Sequence, residues 1–122
     1  MIKIVAEIGI NANGSIDVAK QLIDVAKTAG CDYVKFQKRC IDLCYSPEEL
    51  RSLRKSPWGE TFEDQKRGLE FSLYDYNEID EYCKSKSIGW FVSPWDKVSI
   101  ADMNRFENPW FKIPSALITN IS

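Results

Sequence analysis

Histidine is absent from this 122-residue sequence. The imidazole group is the usual acid–base catalyst near neutral pH, the usual partner of serine and cysteine nucleophiles, and a common metal ligand. Its absence excludes Ser-His and Cys-His catalytic pairs from chemistry performed by this chain alone. It also excludes any histidine metal site made by this chain alone.

Paired cysteine motifs are missing, and the cysteine spacing predicts no metal site. The four cysteines form no CxxC pair; they are Cys31, Cys40, Cys44 and Cys83. Cys40 and Cys44 are spaced as two metal ligands can be, but no second pair and no histidine completes the set. We interpret the four as reduced, mostly structural thiols, which predicts a cytoplasmic protein.

Strong net charge and long hydrophobic runs are also missing. The 16 basic and 18 acidic residues give a net charge of −2, which excludes the basic stripe typical of nucleic-acid-binding proteins. No apolar run approaches the length of a membrane span, and the N-terminus lacks the hydrophobic core of a signal peptide. We therefore expect neither nucleic acid nor a membrane among the partners.

Strand patterns and helix patterns alternate along the chain. The predicted strands are Ile2–Ile8, Tyr33–Gln37, Ile88–Val92 and Trp110–Ile113. The predicted helices are Ser15–Ala29, Ser72 to about Lys86, and a short helix capped by Asp96. This order is typical of the α/β class, with a parallel sheet and right-handed crossovers. We predict a single domain over residues 1–122, with about four strands and three main helices.

A long polar insertion, Lys38–Phe71, separates the second strand from the next main helix. Within it we predict a short helix at Pro47–Arg54 and a turn at 56–59. Segments of this length are usually lids or interface arms. Its basic side chains are interpreted as a solvated face, with phosphate contacts as the alternative; they are Arg51, Arg54, Lys55, Lys66 and Arg67.

Polar side chains stand at the carboxyl end of each predicted strand. Alternation places them on the face opposite the helices; they are Glu7, Lys35, Gln37, Ser93 and Lys112. In a (β/α) barrel this edge is the catalytic rim. Two ammonium groups with hydroxyl and amide donors suit a ligand that carries phosphate and carboxylate. The alternative is that Glu7 and Lys35 form a buried ion pair with no chemical role.

Read together, four motifs resemble the sialic acid synthase family. The motifs are Ala6–Gly14 (AEIGINANG), Val34–Lys38 (VKFQK), Phe91–Trp95 (FVSPW) and Phe111–Ser115 (FKIPS), with Thr119-Asn120 behind them. The resemblance implies the N-terminal half of a TIM-barrel domain. It also implies an aldol-like condensation of phosphoenolpyruvate with N-acetylmannosamine or a similar amino sugar. The identity of that sugar stays open, because Ala12 stands where the family often has histidine.

The resemblance also assigns roles to individual residues. Glu7 corresponds to the catalytic acidic residue that engages the acceptor sugar. Lys35 and Lys112 correspond to the lysines that bind phosphoenolpyruvate. Further substrate contacts are implied for Gln37, Ser93, Ser115 and Asn11. The family uses Mn²⁺ or Mg²⁺, but its metal-binding histidines lie on later strands, so we expect no metal to be bound by this chain alone.

A complete barrel needs eight strands and about 250 residues, and this chain supplies four predicted strands. An open half would leave unpaired edges and an uncovered apolar face. We therefore expect a homodimer, or pairing with a separate C-terminal half, and no activity from the chain alone. Whether the chain is itself an enzyme stays open.

The sequence pattern leaves two other functions open. The first is a self-associating half-barrel that binds small phosphate or carboxylate anions without catalysis. The second is an aldolase that uses Lys35 or Lys112 as a Schiff base. The second is disfavoured, because a nucleophilic lysine needs a lowered pKa and a carboxylate such as Glu7 raises it.

Overall fold

The computed structural model describes residues 1–121, in which strands and helices alternate; Ser122, the last residue of the predicted domain, lies outside them. The strands are β1 (Val5–Gly9), β2 (Tyr33–Lys38), β3 (Leu53–Ser56), β4 (Gly59–Thr61) and β5 (Gly89–Pro94). The helices are α1 (Ile16–Thr28), α2 (Ile41–Cys44), α3 (Pro47–Arg51), α4 (Phe62–Leu69), α5 (Leu73–Ser85) and α6 (Lys97–Met103). A short 3₁₀ helix follows at Ser115–Leu117.

The main sheet is parallel and has the strand order β1-β2-β5. Glu7 of β1 is paired with Lys35 of β2, and Gln37 of β2 is paired with Ser93 of β5. Parallel pairing brings the carboxyl ends of the three strands to one edge. The predicted α/β class and the predicted parallel sheet are confirmed.

The main helices begin within one residue of their predicted starts, and a capping side chain precedes each of them. Ser15 accepts a hydrogen bond from the Val18 backbone N–H at 3.3 Å, which caps α1. Ser72 and Asp75 form a reciprocal capping box on α5, and Asp96 caps α6. Each cap satisfies backbone donors that the first helical turn leaves free. None of the helices in residues 1–121 has the length and apolar character needed to cross a membrane.

The core lies between the sheet and the helices α1 and α5. Fully buried side chains from both layers meet there, including Ile23 of α1, Phe36 of β2 and Ile79 of α5. Tyr76 of α5 stacks on Trp90 with ring centroids 5.7 Å apart. The Tyr76 hydroxyl donates a hydrogen bond of 2.7 Å to the Gln37 carbonyl oxygen, which joins α5 to the carboxyl end of β2.

The prediction of a fourth strand at Trp110–Ile113 is wrong. In residues 1–121 this segment makes one parallel bridge to the sheet, from Phe111 to Val92. Pro109 and Pro114 flank it and have no N–H to donate to a ladder. The described residues also place no strand on its far side, and Trp110 is 49% exposed. With a proline at each end, the segment makes a single bridge to β5 and no continuous ladder.

The first strand begins later than predicted. β1 starts at Val5, whereas the apolar pattern favours a start at Ile2. Ile2 and Ile4 lie at the outer edge of the sheet and are largely exposed. Hydrophobic alternation alone does not make a strand where the backbone joins no ladder, and the Ile4 backbone N–H donates to the Asp32 side chain instead.

The insertion contains structure that the sequence pattern does not predict. The predicted helix at Pro47–Arg54 ends at Arg51, and β3 follows it. β3 and β4 form an antiparallel hairpin around the predicted turn. The capping box of Thr61 and Asp64 then begins α4. The hairpin therefore packs against α4 within the insertion.

Two glycines hold the insertion against the loop between β1 and α1. Gly14 has φ +69°, and a Cβ atom there would overlap the backbone carbonyl oxygen of Gly68 in α4. A Cβ atom at Gly68 would overlap the indole ring of Trp58. Only residues without a side chain permit both contacts. The insertion is thus packed on the β1–α1 loop through its backbone.

Candidate functional site

Four of the predicted site residues lie together on the open face of the sheet. Glu7, Lys35, Gln37 and Ser93 alternate with the helix-facing residues and occupy neighbouring register positions. They stand near the carboxyl ends of β1, β2 and β5. This edge is where ligands bind in parallel α/β proteins.

Lys35 is the centre of this group. Its side chain is buried, and its Nζ atom lies 2.8 Å from Glu7 Oε2 and 2.8 Å from Ser93 Oγ. An ammonium group carries three N–H donors, so these two partners leave one donor for a further acceptor. The Glu7 side chain is 55% exposed. The pair therefore joins a buried cation to a carboxylate that water and ligands can reach.

Gly9 lets the carboxylate and the Gln37 amide approach each other. The register of β1 and β2 shifts between Glu7 and Gly9, and Gly9 has φ +57°. A Cβ atom at Gly9 would lie 2.9 Å from Glu7 Oε1 and 3.2 Å from Gln37 Nε2. A side chain here would press on both groups, so glycine preserves the space in which they meet.

The other three predicted site residues lie outside this contact group. Asn11 donates from Nδ2 to the Ile8 carbonyl oxygen at 2.8 Å, which fixes the turn after β1. Lys112 is exposed, and its backbone N–H donates to the Val92 carbonyl oxygen. Ser115 is exposed at the start of the 3₁₀ helix. No contact in residues 1–121 joins any of the three to Lys35, and their substrate contacts stay predictions.

An aromatic cluster covers the open face below Lys35. Tyr33, Phe91 and Trp110 have ring centroids 4.8–6.1 Å apart. Tyr33 also lies over Gly89, where a Cβ atom would overlap its ring. Rings at these separations contribute packing energy beyond the area they bury. The three rings form an apolar layer on the same face of the sheet as Glu7, Lys35 and Ser93.

The described residues do not fit the metal that the family resemblance implies. No cluster of three or more Cys, Asp or Glu side chains in residues 1–121 is arranged to hold a metal ion, and the sequence has no histidine. Glu7, the carboxylate of the site, is already paired with Lys35. No step of the chemistry is therefore assigned to a metal held by this chain.

Sequence reasoning missed a buried carboxylate beside the site. Glu70 follows α4, accepts a hydrogen bond from the Arg39 backbone N–H at 3.2 Å and pairs with Lys38 at 3.6 Å. Burial raises the pKa of the Glu70 carboxyl, although Arg39 and Lys38 oppose the shift. No periodic signal marks this residue, because its burial depends on the fold of the insertion.

Asp96 joins three segments at the carboxyl edge of β5. Besides capping α6 through Ser99, it accepts hydrogen bonds from the Cys40 backbone N–H at 2.7 Å and the Cys44 thiol at 3.4 Å. Burial opposes ionisation of Asp96, but these hydrogen bonds prevail and lower its pKa. Burial and the Asp96 carboxylate raise the pKa of Cys44 to about 12.

We expect Asp96→Ala to reduce the free energy of unfolding by about 2 kcal/mol at pH 7, because a helix cap and further buried hydrogen bonds are lost. A lowered folded-state pKa stabilises the protein above the ordinary value of 3.8. That stabilisation disappears as the pH falls through the folded-state pKa, so the difference between variant and wild type shrinks in acid. Urea unfolding at pH 7 and at pH 3 measures both effects; an equal difference at the two pH values would contradict this assignment.

The relatives that sequence comparisons find include synthases of sugar acids. The mouse N-acetylneuraminate-9-phosphate synthase is 36% identical over 119 residues, which is 96% of this chain and 33% of that protein. The N,N'-diacetyllegionaminic acid synthase of Campylobacter jejuni is 33% identical over 121 residues, 97% of this chain and 36% of that protein. The chain spans about a third of the length of these curated relatives.

Solved structures share the fold. The sialic acid synthetase of Leptospira borgpetersenii matches 98% of this chain and 38% of that chain, with a TM-score of 0.80 and 24% identity. The spore coat polysaccharide biosynthesis protein SpsE of Bacillus subtilis matches 92% of this chain and 29% of that chain, with a TM-score of 0.63 and 28% identity. The α/β fold is thus part of a TIM-barrel-type synthase fold. Residues 22–122 match the NeuB family, and the chain belongs to that family.

Proposed function

We propose that this chain forms part of an enzyme that condenses phosphoenolpyruvate with an N-acetylmannosamine-like sugar. The observation that supports this most directly is the buried Lys35 ammonium, which contacts Glu7 and Ser93 at the carboxyl edge of a parallel sheet. A cation with hydroxyl and amide donors nearby suits a ligand that carries both carboxylate and phosphate. The curated relatives are synthases of sialic acid and related sugar acids.

In the proposed reaction, a bond forms between C3 of phosphoenolpyruvate and the carbonyl carbon of the sugar. Water adds at C2, and phosphate leaves. Lys35 would bind an anionic group of phosphoenolpyruvate, with Ser93 and Gln37 as further donors. Charge that develops on the oxygens of this anionic group is stabilised most by donors that are already held in position.

Glu7 and Lys112 complete the proposed assignment. Glu7 is exposed enough to accept a hydrogen bond from a sugar hydroxyl while it stays paired with Lys35. Lys112 directly follows the bridge from Phe111 to Val92, which puts it next to Ser93 in register. A second cation at that position would bind the other anionic group of phosphoenolpyruvate. Asn11 and Ser115 are proposed as outer substrate contacts.

We also propose that further strands cover the open face, supplied by a second copy of this chain or by a separate C-terminal half. The aromatic cluster of Tyr33, Phe91 and Trp110 supports this, since Trp110 is half exposed. The Mn²⁺ or Mg²⁺ of the complete site would then be held by residues outside this chain. All four cysteines are free thiols, which suits a reducing compartment such as the cytoplasm.

A second candidate is an assembly that binds anions without turnover. The observation that favours it is that the only charged residues in direct contact in the described site are Glu7 and Lys35. Such a pair would bind an anion through the lysine. An assembly built on it alone would lack the metal site of the family. Catalysis requires that other residues join the same rim.

Phosphate release from phosphoenolpyruvate and N-acetylmannosamine with Mn²⁺ separates these functions. We expect no release from the chain alone, and release when a C-terminal half of a NeuB-family barrel is added. Light scattering of the isolated chain should give a mass above that of a monomer. Turnover by the chain alone would contradict the requirement for a second half, and binding without turnover in the mixture would favour the second candidate.

A further inference from the structure

Arg39 and Trp95 form a stacked pair at the carboxyl edge of the main sheet. The Arg39 guanidinium carbon lies 3.9 Å from the centroid of the Trp95 ring. Each of the two residues directly follows the last residue of its strand, β2 and β5 respectively. The Trp95 backbone N–H donates to the Lys38 carbonyl oxygen at 3.0 Å. The hydrogen-bonded ladder between the two strands therefore continues up to the stacked pair.

Each member of the pair has a buried N–H group without an acceptor. Arg39 Nε and Trp95 Nε1 are both enclosed, and neither has a hydrogen-bond partner in residues 1–121. Nε is bonded to the guanidinium carbon and Nε1 belongs to the indole ring, so both donors border the same stacking contact. The indole of Trp90, by contrast, donates to the Asp80 carboxylate at 2.9 Å. Because a buried donor without an acceptor costs free energy, an added acceptor would stabilise both groups.

Two carboxylates contact the backbone of this segment but not the guanidinium of Arg39. Glu70 accepts from the Arg39 backbone N–H at 3.2 Å and pairs with Lys38 at 3.6 Å. Asp96 accepts from the Cys40 backbone N–H at 2.7 Å. Within the part of the chain that the structure describes, neither carboxylate forms an ion pair with the guanidinium. These bonds fix the backbone on both sides of the Arg39 side chain and leave its own donors unused.

The stacked pair borders space that a small molecule can enter. Arg39 helps to line a cleft of about 380 Å³, and Trp95 helps to line a cleft of about 520 Å³. As whole residues, both are only partly buried. The two enclosed donors thus belong to side chains that a ligand from solution can reach.

We propose that the Arg39–Trp95 pair binds the carboxylate group of a small organic monocarboxylic acid. The guanidinium presents its donors in a planar fork that matches a carboxylate, and the indole N–H adds one more donor. The pair carries one positive charge, and the neighbouring carboxylates of Glu70 and Asp96 favour a monoanion over a dianionic phosphate. Lys35 takes no part in this contact, so binding here is independent of the proposed phosphoenolpyruvate site.

Titration of the ¹⁵N-labelled chain with butanoate, followed by two-dimensional proton–nitrogen NMR, tests this proposal at the two donors themselves. The expected result is a saturable shift of the Trp95 indole N–H signal and of the Arg39 Nε–H signal. The Trp90 indole N–H is the internal control and should not move, because Asp80 already accepts from it. Butanol, the uncharged comparison, should shift neither signal, and butyl phosphate should bind more weakly than butanoate.

Arg39→Gln should weaken butanoate binding at least about tenfold, because charge-assisted hydrogen bonds are lost. Trp95→Phe keeps an aromatic ring against the guanidinium but removes the indole N–H, so we expect a loss of about fivefold. Arg105→Gln is the matched control: it removes the same charge from an exposed arginine that pairs with Asp102, and it should bind like wild type. The NMR spectrum of each variant also shows whether that variant is folded.

The proposal is overturned if butanoate leaves the Trp95 and Arg39 signals of the wild type unmoved, since internal water then satisfies both donors. It is equally overturned if butanol shifts these signals, if butyl phosphate binds more tightly than butanoate, or if folded Arg39→Gln or Trp95→Phe binds like Arg105→Gln. Lys35→Met should leave the butanoate shifts unchanged, so failure of this site and failure of the phosphoenolpyruvate site give different results. Loss of butanoate binding in Lys35→Met would assign the carboxylate to Lys35 instead.

Discussion

Lys35→Met is expected to abolish detectable phosphoenolpyruvate binding while the fold is retained. Removal of one partner of a buried, hydrogen-bonded charge pair typically costs about 3 kcal/mol of binding energy, or roughly a hundredfold in affinity. The methionine side chain is apolar and similar in length, so it suits a position that is 5% exposed. Glu7 stays hydrated because its side chain is half exposed. We therefore expect a loss of stability below about 2 kcal/mol.

Calorimetric titration with phosphoenolpyruvate and urea unfolding of the same samples measure the two effects. Lys20→Met is the control, since Lys20 lies on α1 and pairs with Glu78 at 3.1 Å, away from the open face. It should bind phosphoenolpyruvate like wild type. If Lys35→Met binds as tightly as Lys20→Met, then the pair of Glu7 and Lys35 is structural and the proposed phosphoenolpyruvate site is wrong.

Gly14→Ala is expected to give the largest loss of stability, about 3 kcal/mol or more. Part of this arises because φ +69° is unfavourable for a residue with a Cβ atom. The larger part arises because the new methyl group would overlap the Gly68 carbonyl oxygen. Backbone atoms cannot rotate away as a flexible side chain can, so α4 and Trp58 would have to shift. Urea unfolding followed by tryptophan fluorescence measures the change.

Gly30→Ala separates the two contributions. Gly30 has φ +84°, and a Cβ atom there would meet no atom within 4 Å. Gly30→Ala should lower the free energy of unfolding by the backbone contribution alone, about 1 kcal/mol. The difference between the two variants measures the contact between the β1–α1 loop and the insertion. Equal losses of unfolding free energy would mean that the loop and the insertion accommodate the methyl group without a loss of stability.

The repetitive part of the fold could be predicted because local chemistry decides it. Caps at Ser15, Ser72 and Asp96 satisfy the donors of the turn that follows each of them. Alternation along β1 and β2 places Glu7 and Lys35 on one face, whichever element lies across from them. The contact between these two residues then follows from the parallel register.

Features that depend on distant partners could not be predicted. A strand at 110–113 needs a continuous hydrogen-bonded ladder, and the described residues form a single bridge there. The charges that face Arg39 depend on how the insertion folds, and the burial of Glu70 depends on the same packing. Periodicity reports which face a residue occupies, but it does not report what is packed against that face.

The hydrogen bond from Tyr76 to the Gln37 carbonyl oxygen limits how this protein can be engineered. Tyr76 is buried among the largest core side chains, yet its hydroxyl holds the backbone of Gln37, whose side chain lies on the open face of the sheet. Redesign of the core at this position would move that face as well. Thermostabilising substitutions are therefore better sought on the outer faces of α1 and α5, where they leave the strand ends undisturbed.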